Sequence, residues 1–205
     1  MIDLIDSKSE VVFYTSMVPM DNYFFCGNAG GLVQDQPIID LYYRTGTDFD
    51  QVYKVIGSSN KTINSLEKRK YASSILLSQN KLWVTGGNNQ TDQILNSTEF
   101  ISLDGKPVKG PNLPFPMNGH CMIQVNSNTV YIIGKKTLIV DLSNNFEIKE
   151  GPTLDPRWAV YELLCAKMYI NGKTFIVVCG LPNGETEILD TSVPGQNWKN
   201  GMMFT

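Results

Sequence analysis

Four times along this chain a mostly apolar run of three residues ends in glycine. The copies are Phe24, Phe25 and Cys26 before Gly27; Trp83, Val84 and Thr85 before Gly86; Tyr131, Ile132 and Ile133 before Gly134; and Val177, Val178 and Cys179 before Gly180. Successive glycines lie 59, 48 and 46 residues apart. A short apolar run closed by glycine reads as a strand ending in a turn that other residues resist. Its return at this interval marks a unit too small to bury both faces of its own sheet, which must therefore stack on neighbours.

The surroundings of each glycine repeat as well. Upstream lie apolar segments at 11–14, 72–77, 121–125 and 160–166, separated from the glycine-closed strand by polar turns such as Ser127-Asn128 and Asn171-Gly172. Asparagine and glycine tolerate positive φ, so these are hairpin signals. Downstream comes a third strand around Ile39-Asp40, Glu99-Phe100, Val140-Asp141 and Leu189-Asp190. A weaker fourth strand follows at 52–55, 107–109, 146–149 and 197–199, closing on Gly57, Gly110, Gly151 and Gly201. Asp40, Asp141 and Asp190 recur one per unit, so each is expected to cap the turn after its own third strand. No run shows a helical period with caps. Residues 61–70 could form one helical turn joining the first unit to the second.

With 42 % apolar and 18 % charged residues, the 205-residue chain can build such a core. Its net charge is −3, so no basic excess exists to neutralise phosphates, and nucleic acid is not an expected partner. The N-terminal segment carries Asp3, Asp6 and Glu10 and no basic start, unlike a secretory signal, and no apolar stretch is long enough to span a membrane. Cys26, Cys121, Cys165 and Cys179 form no CxxC pair and sit in apolar strands, which reads as four buried, reduced thiols in a cytoplasmic protein. Three N-x-S/T sequons occur, at Asn60, Asn89 and Asn96; 18 Asn and 28 Ser plus Thr make roughly 2.5 the chance expectation, so they carry no message about secretion.

These repeats resemble the kelch repeat of β-propellers. That pattern has an inner strand, an apolar strand ending in Gly-Gly, a third strand with an acidic and an aromatic position, and a later tryptophan. The chain supplies Gly86-Gly87 once, single glycines elsewhere, and Trp198 in the last unit. Arg69 and Arg157 stand where family members often carry an arginine before the inner strand. The resemblance implies an all-β, kelch-type β-propeller of four four-stranded antiparallel blades, at about 11–57, 71–110, 119–151 and 159–201, within one domain over 1–205. Kelch propellers usually have five to seven blades, so four imply either a complete four-bladed ring or part of a longer propeller. A partial ring would self-associate through uncovered blade faces.

The galactose oxidase family shares this architecture and holds copper with two histidines. His120 is the one histidine here, which excludes that copper set and every other site needing two imidazoles. His120 begins an inner strand, and a hydrogen-bonded structural histidine is the expected reading against a catalytic base. Gly27-Asn28-Ala29-Gly30-Gly31 lacks the lysine and helix of a phosphate loop and reads as a turn. No catalytic residue, metal or cofactor is therefore expected. The resemblance implies a non-enzymatic scaffold that binds a protein or peptide through inter-strand loops. The alternatives are a small-molecule or carbohydrate binder, or an incomplete propeller without independent function. The expected partner-binding residues are Arg69, Asn89, Gln90, Asn118, Lys135, Lys136, Arg157 and Trp158. Arg157-Trp158 is the strongest single anchor by residue type. Lys68-Arg69-Lys70 and Lys135-Lys136 are short basic patches, read as solvated loop charge or, more sharply, as contacts to an acidic partner.

Overall fold

The computed structural model describes residues 19–20, 23–26, 39–44, 51–56, 59–64, 66–69, 71–77, 81–102, 106–156, 163–179 and 185–201, the first five strands by backbone pairing. Among these residues no helix is long and apolar enough to cross a membrane. The protein is all-β, in antiparallel sheets whose strands follow chain order. The first sheet holds β1 (Pro19–Met20), β2 (Tyr23–Cys26), β3 (Ile39–Arg44), β4 (Gln51–Ile56) and β5 (Ser59–Asn64). The second holds β6 (Ser73–Leu77), β7 (Lys81–Thr85), β8 (Thr98–Ser102) and β9 (Val108–Lys109). The third holds β10 (Cys121–Asn126), β11 (Thr129–Ile133), β12 (Thr137–Asp141) and β13 (Glu147–Glu150). The fourth holds β14 (Leu164–Ile170), β15 (Lys173–Cys179), β16 (Thr186–Asp190) and β17 (Lys199–Asn200).

Two expectations need correction. Residues 59–64 form no helical turn; they add a fifth strand to the first sheet, Asn60 opposite Val55 and Ile63 opposite Val52. The alternating Lys61-Thr62-Ile63 pattern suits an edge strand better than a helix too short to sustain itself. Nor are all four cysteines free thiols: Cys121 on β10 and Cys165 on β14 are joined as a disulfide, with their Cα atoms 6.0 Å apart. They lie 44 residues apart in sequence, and only the packing of β10 against β14 brings them together. The expected strand at 11–14 lies outside the described residues.

The third sheet shows how the units stack. Along β10, Cys121 and Ile123 face the fourth sheet and Met122 faces the second; along β11, Tyr131 and Ile133 face the fourth, Val130 and Ile132 the second. This alternation is the period-two signature of a sheet buried on both faces. One core joins Trp83 and Phe100 to Met122, Ile132 and Leu138, and Phe146 caps it with ring centroids 5.3 Å from Trp83 and 4.9 Å from Phe100. The other joins Ile123 and Ile133 to Ile176, Val178 and Leu189, and Trp198 packs on its edge. Trp198 Nε1 donates to Pro152 O at 3.1 Å, so an aromatic just before the last strand of one unit seals against the unit before it. Burying one such aliphatic side chain contributes roughly 1.5–3 kcal/mol.

The repeat also appears in the backbone. Gly110 N, Gly151 N and Gly201 N each donate to the carbonyl of the first residue of a third strand: Thr98, Thr137 and Thr186, at 2.9, 2.8 and 2.7 Å. A Cβ on Gly110 would collide with Thr98 Oγ1 and one on Gly201 with Thr186 Oγ1, which explains glycine there through close approach rather than φ. The segments entering the inner strands are tied together in turn: Gly119 N donates to Tyr71 O at 3.0 Å and Leu163 N to Gly119 O at 2.8 Å. The β14–β15 hairpin turns on Asn171 and Gly172, both at positive φ, as Asn-Gly demands.

Candidate functional site

The loop ends of the second and third sheets meet at a cleft of about 450 Å³, lined by Ile94, Phe115, Pro116, Met117, Asn118, Gly119, Gly134, Lys135, Lys136 and Leu163. Four connections supply it: the β7–β8 loop, the segment from β9 to β10, the tight β11–β12 turn and the entry to β14. Each is fastened. Gly86 and Gly87 both take positive φ, and Gly87 N donates to Met117 O at 2.7 Å. A Cβ on Gly86 would strike that same carbonyl, so the double glycine sets how closely the β7–β8 loop lies against the segment before β10. Met117 N then donates to Leu95 O at 3.0 Å, closing the loop back on itself.

Asn89 is spent on the loop's own shape. Its Oδ1 accepts from Thr91 N at 3.0 Å, Thr91 Oγ1 at 2.8 Å and Gln93 N at 3.0 Å. Gln90 is exposed at the tip of that turn. Asn118 Nδ2 donates to Asn88 Oδ1 at 2.8 Å, linking the two loops across the mouth. Lys135 and Lys136 are exposed on the β11–β12 turn. Lys136 Nζ reaches Glu150 at 3.2 Å and lies 5.1 Å from the centroid of Phe115. Of the eight partner-binding residues expected from sequence, the structure brings Asn118, Lys135 and Lys136 together in the cleft, with Asn89 and Gln90 on an adjoining loop. Arg157 and Trp158 lie outside the described residues.

Arg69 takes a different place. It is 1 % exposed, donating through Nη1 to Gly86 O at 2.7 Å and Ser97 O at 3.0 Å, with Glu67 3.1 Å and Glu99 3.2 Å away. An arginine so enclosed cannot meet a partner; it clamps the entry to β6 onto β7 and β8. Burial pushes the Glu99 carboxyl up, opposed by the Leu66 amide, which donates at 2.7 Å, and by Arg69. Glu187 holds the matching position on β16 and accepts from Asp155 N at 3.2 Å. This acidic residue, second in the third strand, is thus an anchor for the segment that enters the unit.

His120 is also enclosed, at 1 % exposure, and its Nε2 sits 2.7 Å from Thr85 Oγ1. The same Thr85 hydroxyl lies 3.1 Å from Met122 Sδ, so ring, hydroxyl and thioether form one buried polar chain. Burial, helped by the nearby Arg69 charge, lowers its pKa to about 3. The imidazole is neutral at physiological pH and is packed between strands rather than open to a substrate. Asp141 and Asp190 cap their turns as their recurrence suggests, accepting from Ser143 N at 2.9 Å and Ser192 N at 3.0 Å. The Ser143 hydroxyl first, then its amide, holds Asp141 below the usual carboxylate range, and Ser192 does the same for Asp190. Asp40 lies on β3, whose side chains are not described. Among the described residues no three His, Cys, Asp or Glu side chains gather as metal ligands.

Sequence reasoning missed the apolar half of the cleft. Ile94 is 42 % exposed, Phe115 is half-buried, and Met117 and Leu163 form the floor. The available signal was Leu113-Pro114-Phe115-Pro116, large apolar residues in a proline-interrupted loop where polar ones are expected.

No family model and no curated protein matches the chain. A solved structure described as "Structure of YjhT" superposes with a TM-score of 0.55 at 14 % identity, over 94 % of this chain. This chain spans 66 % of the length of that one. The likeness is one of fold.

Proposed function

We propose that the chain is a kelch-type β-propeller unit that binds a protein or peptide and performs no chemistry of its own. The observation that carries this reading is the cleft: apolar at its floor, lysine and asparagine at its rim, and built from loops held rigid by their own hydrogen bonds. The propeller part is supported by the serial packing of inner strands, β6 beside β10 and β10 beside β14, by the approach of β2 to β6, and by the glycine–threonine contacts repeated in three units. The non-enzymatic part is supported by the enclosure of His120 and by carboxylates engaged in caps and clamps. Rigid repeats with variable loops separate folding from recognition, so binding can be altered at the loops without cost to the core.

The test places a photo-crosslinking residue at Gln90, on the loop end, or at Ser127, on the hairpin at the opposite end of the third sheet. In extracts of the native cells, the reading expects a discrete adduct from position 90 that excess unlabelled protein competes away. Equal labelling from both positions, or none from position 90, refutes it. The same reading expects self-association wherever a terminal sheet face is uncovered. Light scattering tests this: a monodisperse monomer with a cooperative melt would refute association and favour a ring closed on itself.

A further inference from the structure

Resting on the binding role just proposed, we infer that the cleft takes a peptide segment in which a carboxylate adjoins a large apolar side chain. Among the described residues its lining contains two lysines and no carboxylate. In a chain of net charge −3, this is a local reversal of sign, and it lies at the mouth of a cleft rather than on a flat face. Lys136 is paired with Glu150, but the two side chains are 50 % and 62 % exposed. An exposed pair of this kind holds weakly, so an incoming carboxylate can exchange with Glu150. The ammonium is also held over Phe115, which fixes it beside an aromatic surface. Lys135 makes no ion pair among the described residues.

Ile94 and Phe115 leave apolar surface open directly beside the lysines. A simple anion would satisfy the charges and leave that surface wet. A purely apolar ligand would cover Ile94 and desolvate the lysines without a partner, which is unfavourable. A carboxylate next to a leucine-like or aromatic side chain meets both demands at once. The Asn89 turn and the Gly87–Met117 bond hold the walls in place beforehand, so little ordering is required on binding.

The probe is a phage-displayed library of random heptapeptides, selected in parallel on the wild-type chain, on the double variant K135E/K136E and on I94E. All three changes are at exposed positions, and matching thermal melts check that the variants fold. The expected result is enrichment, on wild type, of peptides carrying Asp or Glu within two positions of Leu, Ile, Phe or Trp. The enriched peptides should bind K135E/K136E and I94E at least about tenfold more weakly. Raising salt from about 50 to about 500 mM should weaken wild-type binding several-fold, because exposed charges are screened. Enriched peptides without acidic residues, or peptides indifferent to K135E/K136E, overturn the acidic assignment while leaving a binding cleft. Wild-type enrichment no greater than that on I94E overturns the inference and the binding role together.

Discussion

His120 makes the stability of this fold depend on pH in a calculable way. It is the one histidine of the chain, so between about pH 5 and 7.5 its titration dominates. Its pKa falls from the ordinary 6.5 to about 3 on folding, because burial and the neighbouring Arg69 charge disfavour the imidazolium. Below 6.5 the unfolded chain takes up a proton that the folded one refuses, so stability falls as pH falls and is recovered as pH rises above 6.5. At pH 5 the loss relative to pH 8 is about 2 kcal/mol, and over the whole window down to pH 3 it approaches about 5 kcal/mol, at about 1.4 kcal/mol per unit. Glu99 works in the opposite sense: its raised folded pKa gives stability that is lost as pH rises through that value. Asp141 and Asp190, held below the usual carboxylate range, matter only at more acid pH. The assay is urea unfolding at several pH values and constant ionic strength, on wild type and on H120Q, which can still hydrogen-bond to Thr85. Relative to H120Q, wild type should lose about 2 kcal/mol more between pH 8 and 5, the Glu99 contribution being common to both. Profiles of equal slope in wild type and H120Q would refute the placement of a neutral, enclosed imidazole.

Other substitutions test the clamps and close approaches. R69M leaves Glu99 buried beside the segment entering β6 without its cation and should cost about 3–5 kcal/mol by urea unfolding; E99Q, which keeps the Leu66 contact, should cost less. G110A forces a methyl into Thr98 Oγ1 and toward the Phe100 ring, so it should lower the melting temperature by several degrees, whereas G110A combined with T98S should recover little, because the hydroxyl remains. Alkylation under denaturing, non-reducing conditions should spare Cys121 and Cys165; C121A/C165A should lose up to about 4 kcal/mol if the cross-link acts by restricting the unfolded chain.

Much of the β framework was legible because a strand repeat writes itself redundantly. Each glycine-closed strand is flanked by two others whose alternation points the same way, so β6 to β17 lie close to the segments read from sequence. The extra strand β5 was not legible, since Lys61-Thr62-Ile63-Asn64 carries charge and little apolar weight, and edge strands need no more. The disulfide was hidden for a different reason: its half-cystines sit on separate units, and only inter-sheet packing selects their partner. At the cleft, Asn118, Lys135 and Lys136 were legible as loop residues because polar side chains between strands read as exposed. Arg69 misled the same rule, because an arginine in a loop looks alike in sequence whether it meets water or a buried glutamate. The apolar floor went unseen because Phe115 and Met117 count as core residues until the cleft beside them is known.

If recognition resides at the cleft rim and not within the sheets, a bound peptide must perturb the rim amides first. Nitrogen-15 amide shift mapping, with a heptapeptide taken from the selection on wild type, tests it most directly. The largest changes are expected at Ile94, at Met117, Asn118 and Gly119, and at Gly134, Lys135 and Lys136, with none at the far turns around Ser127 and Ser143. Changes centred on those far turns, or on the enclosed His120 and Arg69 with the rim unmoved, would contradict it.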